Sequence, residues 1–186
     1  GIAFVFCTLV MMKQLNFLLN TKELGIERHN VGAVVYCSEN IPFKEIVSQI
    51  PEVSECLNGF HTPIPKMFYS IYRVKEWDGK VADSEQYIEL EDETINQDYA
   101  DFFGVEVLNG SMLDEKDGKD MVVINEAAMK AFGWTQPIGK KMGKLGKQCI
   151  VKGVIKNISY NAPIHPVAPA MFHLPDSRDR GGIIFK

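Results

Sequence analysis

Met121-Val-Val-Ile-Asn125-Glu-Ala-Ala-Met-Lys130-Ala-Phe-Gly133-Trp-Thr-Gln-Pro137-Ile-Gly139-Lys-Lys decides the fold, together with its continuation Cys149-Ile-Val-Lys-Gly153-Val-Ile-Lys156-Asn. Met121 to Ile124 is a short apolar run and reads as a buried strand. Asn125 is placed to cap a helix over Glu126 to Phe132, with Gly133 just past its end. Pro137 and Gly139 turn the chain. Gln148 to Ile155 is a second strand, and Gly153 inside it predicts a bulge or a close backbone approach. No catalytic side chain stands in this strand, capped helix, turn and strand.

A comparable unit lies upstream. Val31 to Cys37 reads as a short buried strand. Pro42 opens a helix with an apolar face of Phe43, Ile46, Val47 and Ile50, and Pro51 ends it. Val53 to Leu57 is the following strand. Between the two units, Met67 to Val74 is rich in aromatic and β-branched residues. Asp78-Gly79 is a type I′ hairpin signal, with Gln86 to Leu90 as a returning arm. A helix from Ile95 to Phe103 stops at Gly104, and Val105 to Leu108 is a short strand. Asp117-Gly118 reads as a second hairpin-like turn. Ala170 to Leu174 and Gly182 to Phe185 close the sheet. The expected fold class is α+β. A split α/β lobe of βαβ, ferredoxin-like type (25–66 and 119–186) carries an inserted, more variable α+β lobe (67–118).

The chain has 186 residues, of which 46% are hydrophobic and 24% charged, the balance of a globular protein with a core of its own. A net charge of −4 argues against nucleic acid as a partner, because phosphate contacts need a basic face. Cys7, Cys37, Cys56 and Cys149 form no Cys-x-x-Cys pair, so neither a zinc ribbon nor a dithiol redox site is encoded. The sequence leaves open whether Cys37 and Cys56 form a disulfide.

Ile2 to Met12 contains Thr8 as its one polar residue. As a helix this run covers about 16 Å, half of a hydrocarbon core of ~30 Å. It is too short to span and lacks the basic leader and cleavage site of a signal peptide. Two readings stand: a buried core helix, or the end of a first transmembrane helix with its extracytoplasmic extension over 1–24. Leu15, Leu18 and Leu19 continue the helix, and Gly25 is a stop.

Motifs for chemistry are lacking. Gly139 to Lys147 is rich in glycine and lysine, but three residues separate Gly139 from Gly143 and Leu145 follows Lys144. The phosphate loop needs four residues and then Lys-Ser/Thr. The run reads as a basic hairpin or turn. His29, His61, His165 and His173 show no metal-ligand spacing, and no Gly-x-Ser-x-Gly surrounds a serine. Glu76 to Asp101 is strongly acidic and reads as a solvated face. No catalytic, cofactor-binding or metal residue is assigned, and no cofactor is expected.

Several segments resemble one family. Gln14 to Val34, with its Leu24-Gly25 pair, looks like the stretch that leaves a first transmembrane helix. Tyr99 to Gly110 resembles an element that ends in Gly-Arg in the family, with Ser111 here in place of the arginine. Val122-Val-Ile-Asn-Glu126, Pro137-Ile-Gly-Lys140, Val151-Lys-Gly-Val154 and Pro169 match further motifs. Together they are similar to the periplasmic core domain of MacB-like ABC transporter permeases, the FtsX-related group. The resemblance implies a domain on the periplasmic side of a bacterial inner membrane, not an enzyme. It implies a cytoplasmic ABC ATPase as partner, a permease homodimer or related permease, and a periplasmic protein or substrate. The implied role is to pass ATPase-driven motion outward in efflux, lipoprotein handling or cell-wall regulation. A membrane-anchored ligand-binding or sensor domain is the alternative.

Overall fold

Alternation of apolar and polar residues builds most of this molecule, and sheets dominate it. The computed structural model describes residues 2–19, 25–26, 30–35, 43–58, 70–81, 86–144, 147–159, 166–175 and 182–186. The helices are α1 (Ile2–Leu19), α2 (Phe43–Val47), α3 (Gln97–Phe103) and α4 (Glu126–Ala131). The strands are β1 (Gly32–Val35), β2 (Cys56–Asn58), β3 (Ser70–Val74), β4 (Glu76–Trp77), β5 (Lys80–Val81), β6 (Ile88–Thr94), β7 (Val107–Gly110), β8 (Met121–Asn125), β9 (Lys141–Lys144), β10 (Lys147–Ile155), β11 (Ala170–His173) and β12 (Gly182–Phe185). The fold is α+β.

The smaller sheet has the order β1-β12-β2. Both outer strands run antiparallel to β12, so β1 and β2 are parallel to each other with β12 between them. The predicted strand–helix–strand unit therefore exists, but it is split by a strand from the end of the chain. Its burial is lower than the sequence suggests. Ala33 and Val34 of β1 are exposed, as are Ile46 and Ile50 on the predicted apolar face of α2, while Val47 is buried.

The larger sheet has nine strands in the order β3-β6-β11-β8-β10-β9-β4-β5, with β7 also on β10. β3 and β4 stand near opposite ends of this order, yet only Lys75 separates them in the chain. β3 pairs with β6, and β4 with β9. The Lys75 amide donates to Gly143 O at 3.0 Å. One strand thus bonds β6 with its first part and β9 with its second, and the sheet closes on itself as a small barrel. Inward positions recur with period two and form one apolar cluster, including Val74, Leu90, Val122, Ile124, Cys149, Val151 and Met171. Phe132 and Trp134, after α4, cover it with stacked rings 4.2 Å apart. The outer face carries a second cluster in which Val123, Ile155 and Phe172 pack with Tyr99, Phe102 and Phe103 of α3 and with Ile184 of the small sheet.

Gly153 shows how one residue adjusts this alternation. The register of β10 against β8 shifts between Val151 and Gly153. Val151 and Val154 consequently both join the inner cluster while Ile155 joins the outer one. A Cβ on Gly153 would lie 2.3 Å from Ser111 O. The bulge and the close approach are both real.

Other expectations need correction. The sheets do not follow boundaries at 66/67 and 118/119, because β6 from the middle stretch pairs with β11 and β4 with β9. Asp117-Gly118 is not a hairpin, since β7 pairs with β10 and so does β8. Asp78-Gly79 does make the tight hairpin, with φ of 54° and 71°, but its returning arm is β5. Residues 88–94 instead return along β3, and this strand runs on through the acids to Thr94. The lysine run holds a strand, β9, paired with β10. The buried-helix reading of α1 fails, because its side chains from Ala3 to Asn16 are exposed apart from half-buried Thr8.

Candidate functional site

Two places gather polar groups with a purpose beyond solvation. The first is a junction built on Asn125, a buried polar residue. As N-cap of α4 it accepts from Ala128 N at 2.8 Å. The same oxygen accepts from Ala170 N at 3.0 Å, and the side-chain amide donates to Ala168 O at 2.8 Å. One side chain thereby ties β8, α4 and the entry to β11. Beside it, Ala127 N donates to Asn157 Oδ1 and Asn157 N donates to Glu126 Oε2, both at 3.0 Å. This reciprocal pair locks the start of α4 to the exit of β10. Gly25 joins from the other side. Its φ is +78°, and a Cβ there would lie 2.1 Å from Asn157 O. Only glycine lets the chain pass so close in this conformation. Ile26 follows, buried in the outer cluster with Ile158.

The second place is the mouth of the barrel. A cavity of about 540 Å³ is lined by Tyr72, Asp92, Val122, Cys149, Met171 and His173 from the strands and by Glu115, Asp117 and Lys119 from the preceding loop. The strand residues occupy inward positions, so the apolar interior becomes polar where it opens. His173 Nδ1 lies 2.9 Å from Leu174 O, and Nε2 lies 3.3 Å from Asp92 Oδ1. The latter contact is within ion-pair distance for a protonated ring, and the Tyr72 hydroxyl sits against the Cys149 thiol. Burial pushes the Tyr72 phenol up from its ordinary pKa, helped by the neighbouring Cys149 thiol and the Asp92 carboxylate, so the ring stays neutral. At the rim, Lys152 Nζ donates to Asp117 Oδ2 at 2.6 Å and to Asp114 Oδ2 at 3.3 Å. The Asp117 hydrogen bond, with that from Asp114, raises the Lys152 pKa.

Of the residues weighed in the sequence for chemistry, these sites contain only Cys149, His173 and part of the acidic run. Asp78 of that run accepts from Trp134 Nε1 at 2.5 Å and from Lys140 Nζ at 2.6 Å, fastening the hairpin over the end of α4. Glu93 is buried. The run is therefore only partly a solvated face. Among the described residues no cluster of three His, Cys, Asp or Glu side chains could hold a metal ion. His29, His61, His165 and Cys37 lie outside the described residues, and so does the question of a Cys37–Cys56 bridge. No linear motif could have revealed the cavity. The available signal was polar Tyr72, Asp92 and His173 at inward positions of otherwise apolar strands.

No protein-family model matches the chain, and no curated protein does. Solved structures do. A domain assigned to a permease of Porphyromonas gingivalis is 17% identical with a TM-score of 0.49, the match covering 76% of this chain and 64% of that one. The periplasmic region of MacB from Actinobacillus actinomycetemcomitans is 19% identical with a TM-score of 0.46, over 77% and 62%. The extracellular domain of the noncanonic ABC-type transporter YknZ from Gram-positive bacteria is 16% identical with a TM-score of 0.48, over 82% and 73%. The chain thus spans somewhat less than two thirds of the first two.

Proposed function

We propose that this chain is an extracytoplasmic domain of an ABC transporter permease that passes motion from membrane helices to a partner or substrate outside the inner membrane. The carrying observation is the Gly25–Asn157–Asn125 junction, because it joins the family-like segments into one mechanical path. Gly25, from the Leu24-Gly25 motif, passes close to Asn157 O. Asn157 holds Glu126 of the Val122–Glu126 motif, and Asn125 holds the strand after Pro169. In this reading, displacement of the chain at Gly25 presses on the Asn157 backbone and through it on the start of α4. α1 supplies the membrane side of the reading. Phe4 is 77% exposed and Phe6 65%, and an apolar helix uncovered all round is at home in lipid. No helix among the described residues is long and apolar enough to cross a membrane. In this reading α1 is the end of a first transmembrane helix. The finer role is efflux, lipoprotein handling or cell-wall regulation, and the ATPase and a second permease copy act from other chains.

The test uses the full-length gene product with the ATPase encoded beside it. The two should co-purify, and a membrane-impermeant thiol reagent should label Glu52→Cys from outside intact spheroplasts. Labelling only after lysis, or no associated ATPase, defeats the reading. The barrel-mouth cavity favours a second reading, a membrane-anchored ligand-binding or sensor domain, which predicts outside labelling without an ATPase partner.

A further inference from the structure

We propose that α4 is a rigid link that carries displacement from the Gly25–Asn157 contact to the β4–β5 hairpin, so that the motion emerges at this hairpin. The inference deepens the reading above and rests on it for the motion that enters at Gly25. The input end of α4 is gripped by side chains. Ala128 N donates to Asn125 Oδ1 at 2.8 Å, Ala127 N to Asn157 Oδ1 at 3.0 Å, and Asn157 N to Glu126 Oε2 at 3.0 Å. The residue whose carbonyl lies against Gly25 therefore also holds the first turn of the helix. The helix has six residues, about 9 Å of length, and neither Pro nor Gly at which it could kink. Past its end the chain turns at Gly133, with φ of 68°. Trp134 N donates back to Met129 O at 3.1 Å, so the Trp134 backbone is part of the helix cap. The buried rings of Phe132 and Trp134 stack 4.2 Å apart, and the indole is carried with α4.

The output end is fastened to the turn of the hairpin. Trp134 Nε1 donates to Asp78 Oδ2 at 2.5 Å, and Lys140 Nζ donates to Asp78 Oδ1 at 2.6 Å. The Trp77 ring meets Phe132 edge-on at 6.0 Å. The hairpin is rooted in the barrel by Glu76 and Trp77 on β9. Beyond Trp77, β5 pairs only with β4 among the described strands, and Val81 on it is exposed. The barrel strands that α4 covers have neighbours on both edges, whereas β5 has one. Of the two bodies that α4 touches, the hairpin has the fewer ladder bonds to lose, so it is the one that yields when the helix is pressed.

The test follows hydrogen exchange in the full 186-residue chain at three protons. These are the Ala127 amide at the input end, the Trp134 indole N–H at the output end, and the Val123 amide as reference for opening of the whole fold. In the unaltered chain the first two should open as one unit, with protection equal within about twofold and falling together in low urea. Asn157→Ala should speed exchange of the Trp134 indole by about fivefold or more relative to Val123, and Asp78→Ala should do the same to the Ala127 amide, because coupling is reciprocal. Ile184→Val, a core change away from both fastenings, should leave these ratios alone. Separate opening of the two ends in the unaltered chain, or equal acceleration of Trp134 and Val123 in Asn157→Ala, overturns the proposal. The comparison in the unaltered chain needs no variant to fold. Independent opening of the two ends leaves ATPase co-purification and outside labelling untouched, and failure of those leaves the exchange result as it stands.

Discussion

The two strand–helix–strand units, β1–α2–β2 and β8–α4–β10, look alike in sequence and differ in construction. In the second, β8 and β10 are direct parallel neighbours, and Val122, Val123 and Ile124 are all buried because a cluster lies on each face. In the first, β12 sits between the strands, and Ala33 and Val34 face outward. A continuous apolar run therefore has two meanings. In β8 it marks a strand covered on both sides. In β1 it marks a strand whose successive residues Ala33 and Val34, pointing to opposite faces, are both exposed. The helices follow suit, since the start of α4 is held by Asn125 and Asn157 while α2 contributes chiefly Val47.

The contrast can be broken most severely at Asn125. Asn125→Ala removes the N-cap and leaves Ala168 O and Ala170 N without their partner, for a loss of about 3 kcal/mol in urea unfolding. A loss under about 0.5 kcal/mol would remove Asn125 from its place as the tie of the second unit. Ile124→Ala should cost about 3 kcal/mol, and Val34→Ala on the exposed strand under about 1 kcal/mol. Equal losses would erase the difference between the units. Gly153→Ala forces a methyl against the Ser111 carbonyl, at a cost of about 2 kcal/mol with loss of the bulged register, visible as shifted amide signals of Val151 to Ile155. The smallest effect concerns Lys152. Its pKa is raised by the hydrogen bond from its ammonium to Asp117, so its contribution is whole below the ordinary lysine value and is lost as pH rises through the raised one. Lys152→Met should flatten that alkaline decline, followed by thermal unfolding against pH.

Much of the second unit was legible. Asn125, Gly133 and Gly153 act through local backbone chemistry, and such residues announce their roles in sequence. The Asp78-Gly79 turn was legible for the same reason. What escaped is non-local or runs against propensity. β6 continues through Glu91, Asp92 and Glu93, where charge disfavours a strand until neighbours on both edges supply hydrogen bonds. β9 is brief, and its buried Met142 is hidden among lysines and glycines. The insertion of β12 between β1 and β2 depends on segments more than a hundred residues apart, which no window of sequence contains. The cavity was invisible because its lining comes from β3, β6, β8, β10 and β11.

Lys75, where one strand changes partners, has a consequence in time. The ring it completes joins residues 70–77 to 88–94 on one side and to 141–144 on the other, and lays Ala170 beside Glu91. Pairings so distant along the chain make folding slow, because the entropy of closing each loop is lost before any ladder rewards it. The seam at Val74–Glu76 needs both arms in register, so it should form late. Once made, it has no free end to fray, and the Lys75 amide should exchange with solvent only when the whole ring opens.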